Sequence, residues 1–266
     1  MPRFTLPDGR SLDYAQYGRK GPPVVLLHGY LDSHVTFFRL VEGLSRTHQL
    51  FIPDQRGHGD SDAAPSYDIA GFIADAIAFI AGLDIAPVHL GGHSLGGIVA
   101  QRVAAARPDL VRSLALISTA RHAGGNQALL ETVPLLHSLS DPVPDELARE
   151  FQGSSCFTPL PEEIFARYLD ETRKVTADVW RGALAGLLDE PAPRETASDM
   201  PAQILWGEDD GIFPAADQDI LRRHFPLAGF TAYTQTGHAP NWERPAEIST
   251  ALLAFWQGLE SEGTRP

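Results

Sequence analysis

The chain has a single cysteine, Cys156, among 266 residues, so neither an intramolecular disulfide framework nor a cysteine-based metal cluster can hold it together. One thiol is compatible with a reducing compartment. No apolar run reaches the length needed to span a bilayer. The opening stretch, MPRFTLPDGRSLDYAQYG, has no apolar core of a signal peptide, which predicts a cytoplasmic protein. Basic residues are few: 21 Lys and Arg stand against 34 Asp and Glu, a formal net charge of −13. So acidic a surface repels phosphate backbones, which argues against a nucleic-acid partner, and it gives no global pull on anionic substrates. The phosphate-binding patterns GxGxxG and GxxxxGKS/T are missing and no residues stand at metal-ligand spacing, so no cofactor and no metal is expected. What remains is ordinary for a packed protein, with 43% hydrophobic and 21% charged residues. The length suits one large domain, or one domain carrying an insertion.

The first 120 residues alternate between two periodicities. Phe4 to Leu6 and Leu12 to Tyr17 read as strands around Pro7-Asp8-Gly9, a turn signal. Continuous apolar runs at Val24 to Leu27 and at 50–53, then VHLGGH (88–93) and LALIST (114–119), read as strands buried on both faces. Between them, 34–46, 68–83 and 96–107 carry apolar residues at helical spacing. Strand alternating with helix predicts a mostly parallel sheet flanked by helices. From Arg121 to Ser198 the strands stop, and amphipathic helices are expected at 126–139, 144–152, 161–174 and 176–188. This reads as a helical insertion after the sixth strand. The alternation then resumes: a strand at 202–207, a helix at 215–224, a strand at 229–234 and a helix at 245–259.

The chemistry concentrates in Gly92-His93-Ser94-Leu95-Gly96, which is G-x-S-x-G between an apolar strand and a helix. A strand that turns abruptly into a helix strains the backbone at the serine, and side chains two residues to either side would clash. The turn lifts Ser94 Oγ beyond the sheet edge, at a helix start where free N–H groups favour negative charge. A serine needs a base. Of ten histidines, His238 in TGHAPNWERP follows the last strand and so reaches the same sheet edge as Ser94. His93 is expected to point away, His28 to be structural, and His58 to brace its Gly-rich loop. The base in turn needs a carboxylate, and WGEDDGIFP offers three neighbours, Glu208, Asp209 and Asp210, which spacing does not separate. For a developing oxyanion, backbone N–H groups of Leu95 and Tyr30 are the candidate donors.

With VVLLHGY (24–30), DQRGHGDSD (54–62), GGHSLGG (91–97), ILWGEDDGIFP (204–214) and TGHAPNWERP (236–245) in this order, the chain resembles the α/β-hydrolase superfamily along nearly its whole length. It looks most like the small cofactor-independent branch of esterases, enol-lactonases, carbon–carbon bond hydrolases and haloperoxidases. The resemblance implies an α/β-hydrolase core over 1–120 and 199–266, with a helical cap over 121–198 roofing the site. It also favours Asp210 as the acid, three residues past Gly207, completing a catalytic set of Ser94, Asp210 and His238 with an oxyanion hole at Tyr30 and Leu95. Ser94 at the elbow argues against dehalogenases and epoxide hydrolases, which carry Asp there.

The expectation is therefore a serine hydrolase acting through an acyl-enzyme on a small-molecule carboxylic ester or lactone. Apolar cap residues (Leu129, Leu130, Leu135, Leu136, Phe151, Phe157, Phe165, Trp180 and Leu184) suggest a neutral, hydrophobic substrate. Three alternatives share the same residues: a carbon–carbon bond hydrolase, a perhydrolase or acyltransferase, and a ligand receptor that turns over very slowly. Neither nucleic acid nor membrane is an expected partner, and association into a homo-oligomer stays open. Arg121, at the end of a strand, is expected to be solvated.

Overall fold

The computed structural model describes residues 1–194 and 196–263, the last two of these by backbone only. The strands are β1 (Arg3–Thr5), β2 (Ser11–Tyr17), β3 (Pro23–Leu27), β4 (Gln49–Pro53), β5 (Val88–His93), β6 (Val111–Ile117), β7 (Ala202–Gly207) and β8 (Gly229–Tyr233). They form one sheet in the order β1-β2-β4-β3-β5-β6-β7-β8. The β1/β2 and β2/β4 pairs are antiparallel and all others parallel. This is the mostly parallel sheet the alternation predicts. Carboxyl ends of β3, β5, β7 and β8 therefore share one edge, the usual place for a site in an open α/β sheet.

Helices cover both faces. On one side lie α1 (Phe38–Leu44) and α10 (Pro245–Gly263), where Leu40, Leu44, Ile248, Leu252 and Trp256 pack under the strands. On the other lie α2 (Ile69–Gly82) and α3 (Leu95–Ala106). Asp68 caps α2 by accepting a 2.7 Å hydrogen bond from Gly71 N–H, and Ile69, Phe72, Ala76, Phe79 and Ile80 share its buried face. Each of the four larger side chains contributes roughly 1.5–3 kcal/mol by leaving water.

Between β6 and β7 the chain makes α4 (Gln127–Leu136), α5 (Asp145–Gly153), α6 (Glu162–Thr172) and α7 (Ala177–Asp189). Leu129, Leu136, Phe165, Trp180 and Leu184 are buried there, as expected. Leu130 and Leu135 are exposed instead, because they fall off the buried stripe of α4, and so is Phe157, which lies in the connection between α5 and α6. The expected spans 121–198 and 199–266 include residue 195 and residues 264–266, which lie outside the described residues. The remaining helices are α8 (Ala215–His224), as expected, and a short α9 (Pro240–Glu243) that the sequence pattern does not announce.

Other differences are local. The expected helix 34–46 opens with a 3-10 turn, His34–Phe37, capped by Ser33. The sixth strand starts three residues early and stops before Ser118, whose φ of 38° breaks the extended backbone. Arg121 is not solvated: it is buried and donates to Gln101 Oε1 at 2.9 Å. Among the described residues, no helix is long and apolar enough to cross a membrane.

Candidate active site

Ser94 sits between β5 and α3 with φ 52° and ψ −119°, a conformation that side chains rarely adopt. The crowding around this turn explains the glycines. A Cβ on Gly92 would fall 2.2 Å from the Gly96 carbonyl, and one on Gly96 would fall 2.1 Å from the Leu27 carbonyl oxygen. Only glycine lets α3 approach β3 and β5 this closely. Because Ser94 is the residue before the helix, the N–H of Leu95 is among those at the helix start that have no intrahelical acceptor. The Thr119 hydroxyl donates to the Ser94 carbonyl oxygen at 2.7 Å and holds the turn from below.

Asp210 stands on the loop after β7 and is 4% exposed, whereas Glu208 and Asp209 beside it are exposed. Its Oδ1 accepts from the N–H groups of Ile212 and Phe213, each at 2.9 Å, so the carboxylate is oriented by its own loop. His238 Nδ1 lies 2.9 Å from Asp210 Oδ2 and 3.0 Å from Oδ1. A proton on Nδ1 donates to that carboxylate, which leaves the lone pair on Nε2. Asp209 serves another end: its Oδ2 accepts from Thr236 N–H at 3.3 Å, and Glu243 Oε1 accepts from Gly237 N–H at 2.7 Å. Together they fix the segment that delivers His238. The geometry thus separates three carboxylates that spacing does not.

Ser94, His238 and Tyr30 line one cavity at the carboxyl edge of the sheet. From the body of the protein come also Asp32, His93, Ile212, Phe213 and Trp242; from the inserted segment come Leu129, Phe151, Gln152, Ser155 and Leu187. The centres of water-sized spheres fit in only about 20 Å³ of it, the space of about one water molecule. Tyr30 is buried, its hydroxyl donates to the Trp180 carbonyl at 2.5 Å, and its ring meets Phe151 edge-on at 5.5 Å. Burial pushes the Tyr30 hydroxyl well above its usual pKa, so it stays protonated.

His93 corrects the expectation that it points away. Its ring centroid lies 4.9 Å from that of His238, and its Nε2 donates to the His238 carbonyl at 2.8 Å. Burial, reinforced by the neighbouring His238, drops its pKa to about 3. Its Nδ1 faces Asp32 Oδ2 at 3.8 Å. Asp32 accepts from the Thr36 hydroxyl at 3.2 Å and is 4% exposed, and burial raises its pKa to about 7. Asp32 and Gln152 have no sequence signal; only the fold sinks a loop carboxyl and an amide into the same cavity.

His28 and His58 behave as read. His28 Nε2 accepts from Gln55 N–H at 2.8 Å, and His58 Nδ1 donates to the Arg56 carbonyl at 2.8 Å. Both brace the 54–62 loop, which Arg56 ties to α2 through Asp75 at 2.7 Å.

A sheet of this order with a strained serine elbow, and a histidine and carboxylate on later loops, defines the α/β-hydrolase fold. The family model for the alpha/beta hydrolase fold matches residues 22–245, and the chain belongs to that family. It is 31% identical to a pimeloyl-[acyl-carrier protein] methyl ester esterase of Chromobacterium violaceum, over 88% of this chain and 93% of the relative. It is 26% identical to Lipase 1 of Psychrobacter immobilis, over 97% and 84% of the two chains. A solved thermophilic esterase from Thermogutta terrifontis superposes with a TM-score of 0.84 over 97% of this chain and 98% of the other, at 22% identity. The relatives of this hydrolase thus include esterases and lipases.

Proposed function

We propose that the protein is a serine hydrolase that cleaves a carboxylic ester or lactone of a neutral, fairly hydrophobic small molecule. The observation that carries this is the shared cavity, in which a serine held at positive φ faces the same space as a histidine whose Nδ1 is held by a buried carboxylate. In this reading His238 Nε2 takes the Ser94 proton as Oγ attacks the carbonyl carbon. Asp210 keeps the ring in the right tautomer and stabilises the imidazolium. Backbone N–H groups of Leu95 and Tyr30 hold the oxyanion. His238 then protonates the leaving alkoxide, and it later deprotonates the water that releases the acid.

The substrate class follows from the lining. Leu129, Phe151, Leu187, Ile212, Phe213 and Trp242 present apolar surface, and among the described residues no Arg or Lys lines the cavity to pair with an anion. The relatives at 26–31% identity are named an esterase and a lipase, which supports ester cleavage as the reaction. In this reading the segment 121–198 is a cap whose helices move apart to admit substrate, the cavity as it stands having space for about one water.

The test is turnover of p-nitrophenyl esters of increasing acyl length and of simple lactones by wild type and Ser94→Ala. The expected result is hydrolysis that falls by roughly 10⁴-fold or more in the variant while its circular dichroism is unchanged. Equal turnover by both proteins would overturn the assignment.

A further inference from the structure

At the opposite edge of the sheet, three ligand-type side chains converge that the reaction does not use. His48 is the last residue before β4, His89 is the second residue of β5, and Glu260 lies near the end of α10. Both histidines are at most 1% exposed. His48 Nε2 lies 3.4 Å and His89 Nε2 3.8 Å from the same oxygen, Glu260 Oε1. All three atoms fall within 4.8 Å of one another. Among the described residues neither Nε2 makes a hydrogen bond of acceptable geometry.

The outer nitrogens are engaged. His89 Nδ1 lies 2.7 Å from the hydroxyl of Ser113, its register neighbour on β6, and His48 Nδ1 lies 2.9 Å from the Thr47 hydroxyl. A ring whose Nδ1–H donates to a hydroxyl carries its lone pair on Nε2, the arrangement that orients a metal-ligating histidine. With the protons on Nδ1, both Nε2 lone pairs face the Glu260 oxygen, an arrangement that a cation bridges. Ligand atoms about 2.0–2.2 Å from a tetrahedral zinc ion are about 3.2–3.6 Å apart, close to two of the separations here. Glu260 is one-third exposed at the mouth of the site, which gives an ion a path in and gives the carboxylate room to adjust.

We propose that His48, His89 and Glu260 form a binding site for one divalent ion of the zinc class. Two imidazoles and one carboxylate are the donor set that suits Zn²⁺, with a water in the fourth position. The ion ties the last helix to the starts of β4 and β5. It is a stability site, since it lies at the edge away from Ser94. Arg112 adds a repulsive charge near His89, so affinity comes from the ligand bonds rather than from the surrounding field.

Trp256 supplies a reporter, because its ring centroid lies 4.8 Å from that of His48 and 5.4 Å from that of His89. The experiment uses the untagged full chain, stripped with a chelator and titrated with Zn²⁺ alone by calorimetry, with bound metal counted by plasma mass spectrometry. Wild type is expected to bind one Zn²⁺ and to gain several degrees in melting temperature. Glu260→Gln and His48→Gln should each weaken binding by at least about tenfold and lose the thermal gain. Cu²⁺ should quench part of the tryptophan fluorescence in wild type and not in Glu260→Gln. Ester turnover of the stripped protein and of Glu260→Gln should match wild type, showing that the fold is intact. Absence of stoichiometric zinc in wild type, or equal binding by Glu260→Gln, would overturn the proposal.

Discussion

In β5 every residue from Val88 to His93 is buried, whereas in α5 only Ala148 and Gln152 are. The same contrast runs through the molecule. The sheet body crowds so tightly around Ser94 that added Cβ atoms at Gly92 and Gly96 would meet backbone. The inserted helices leave Leu130 and Leu135 in solvent and touch the cavity through single residues such as Leu129 and Phe151. Strain is kept where surrounding packing over-determines it, and variation is tolerated where few contacts depend on it. On this account the body performs the reaction and the insertion selects what enters.

Substitutions can break this division or sharpen it. The largest effect belongs to the body: Asp210→Asn should lower kcat by about 10⁴-fold, because the histidine loses the acceptor that sets its tautomer. Asp209→Asn, which changes only the contact with Thr236, should stay within roughly tenfold of wild type. Reversed sizes for this pair, read from steady-state kinetics, would give the carboxylate role to Asp209.

The next effect is on stability. Burial keeps the Asp32 carboxyl protonated up to about 7 in the folded chain, against an ordinary 3.8. The folded state then holds a proton that the unfolded state releases, so stability is full below about 4 and falls as pH rises toward 7. Asp32→Asn, an isostere that cannot ionise, should abolish that fall, on the order of 1–4 kcal/mol in urea melts across the window. Parallel pH profiles for the two proteins would show Asp32 to be ionised throughout. The smallest effect belongs to the insertion. Phe151→Ala removes a ring that meets both Tyr30 and Trp180. It should shift the preferred acyl length upward by roughly tenfold in relative kcat/KM, leaving kcat on short esters within a few-fold.

The sequence carried the sheet because its strands are short apolar runs bounded by Gly and Pro, as in Pro23–Leu27 and Ala202–Gly207. It carried the elbow because local sterics demand glycine at 92 and 96. It placed Ser94, His238 and Tyr30 in what proves to be one cavity, and Asp210 in contact with His238, because chain order and strand ends put them at one edge. It did not carry Asp32, His93 or Gln152. Their place in the cavity depends on side-chain directions and on packing between segments far apart in the chain. The His48, His89 and Glu260 cluster was illegible for the same reason, since no local spacing links a loop, a strand and a distant helix.

The most direct test of the central claim is to quench ester turnover in acid and map the acyl group by peptide mass spectrometry. The account predicts one acyl group on the peptide containing Ser94, with none on any peptide of Ser94→Ala. An acyl group on another residue, or undiminished turnover with no acyl-enzyme, would contradict it.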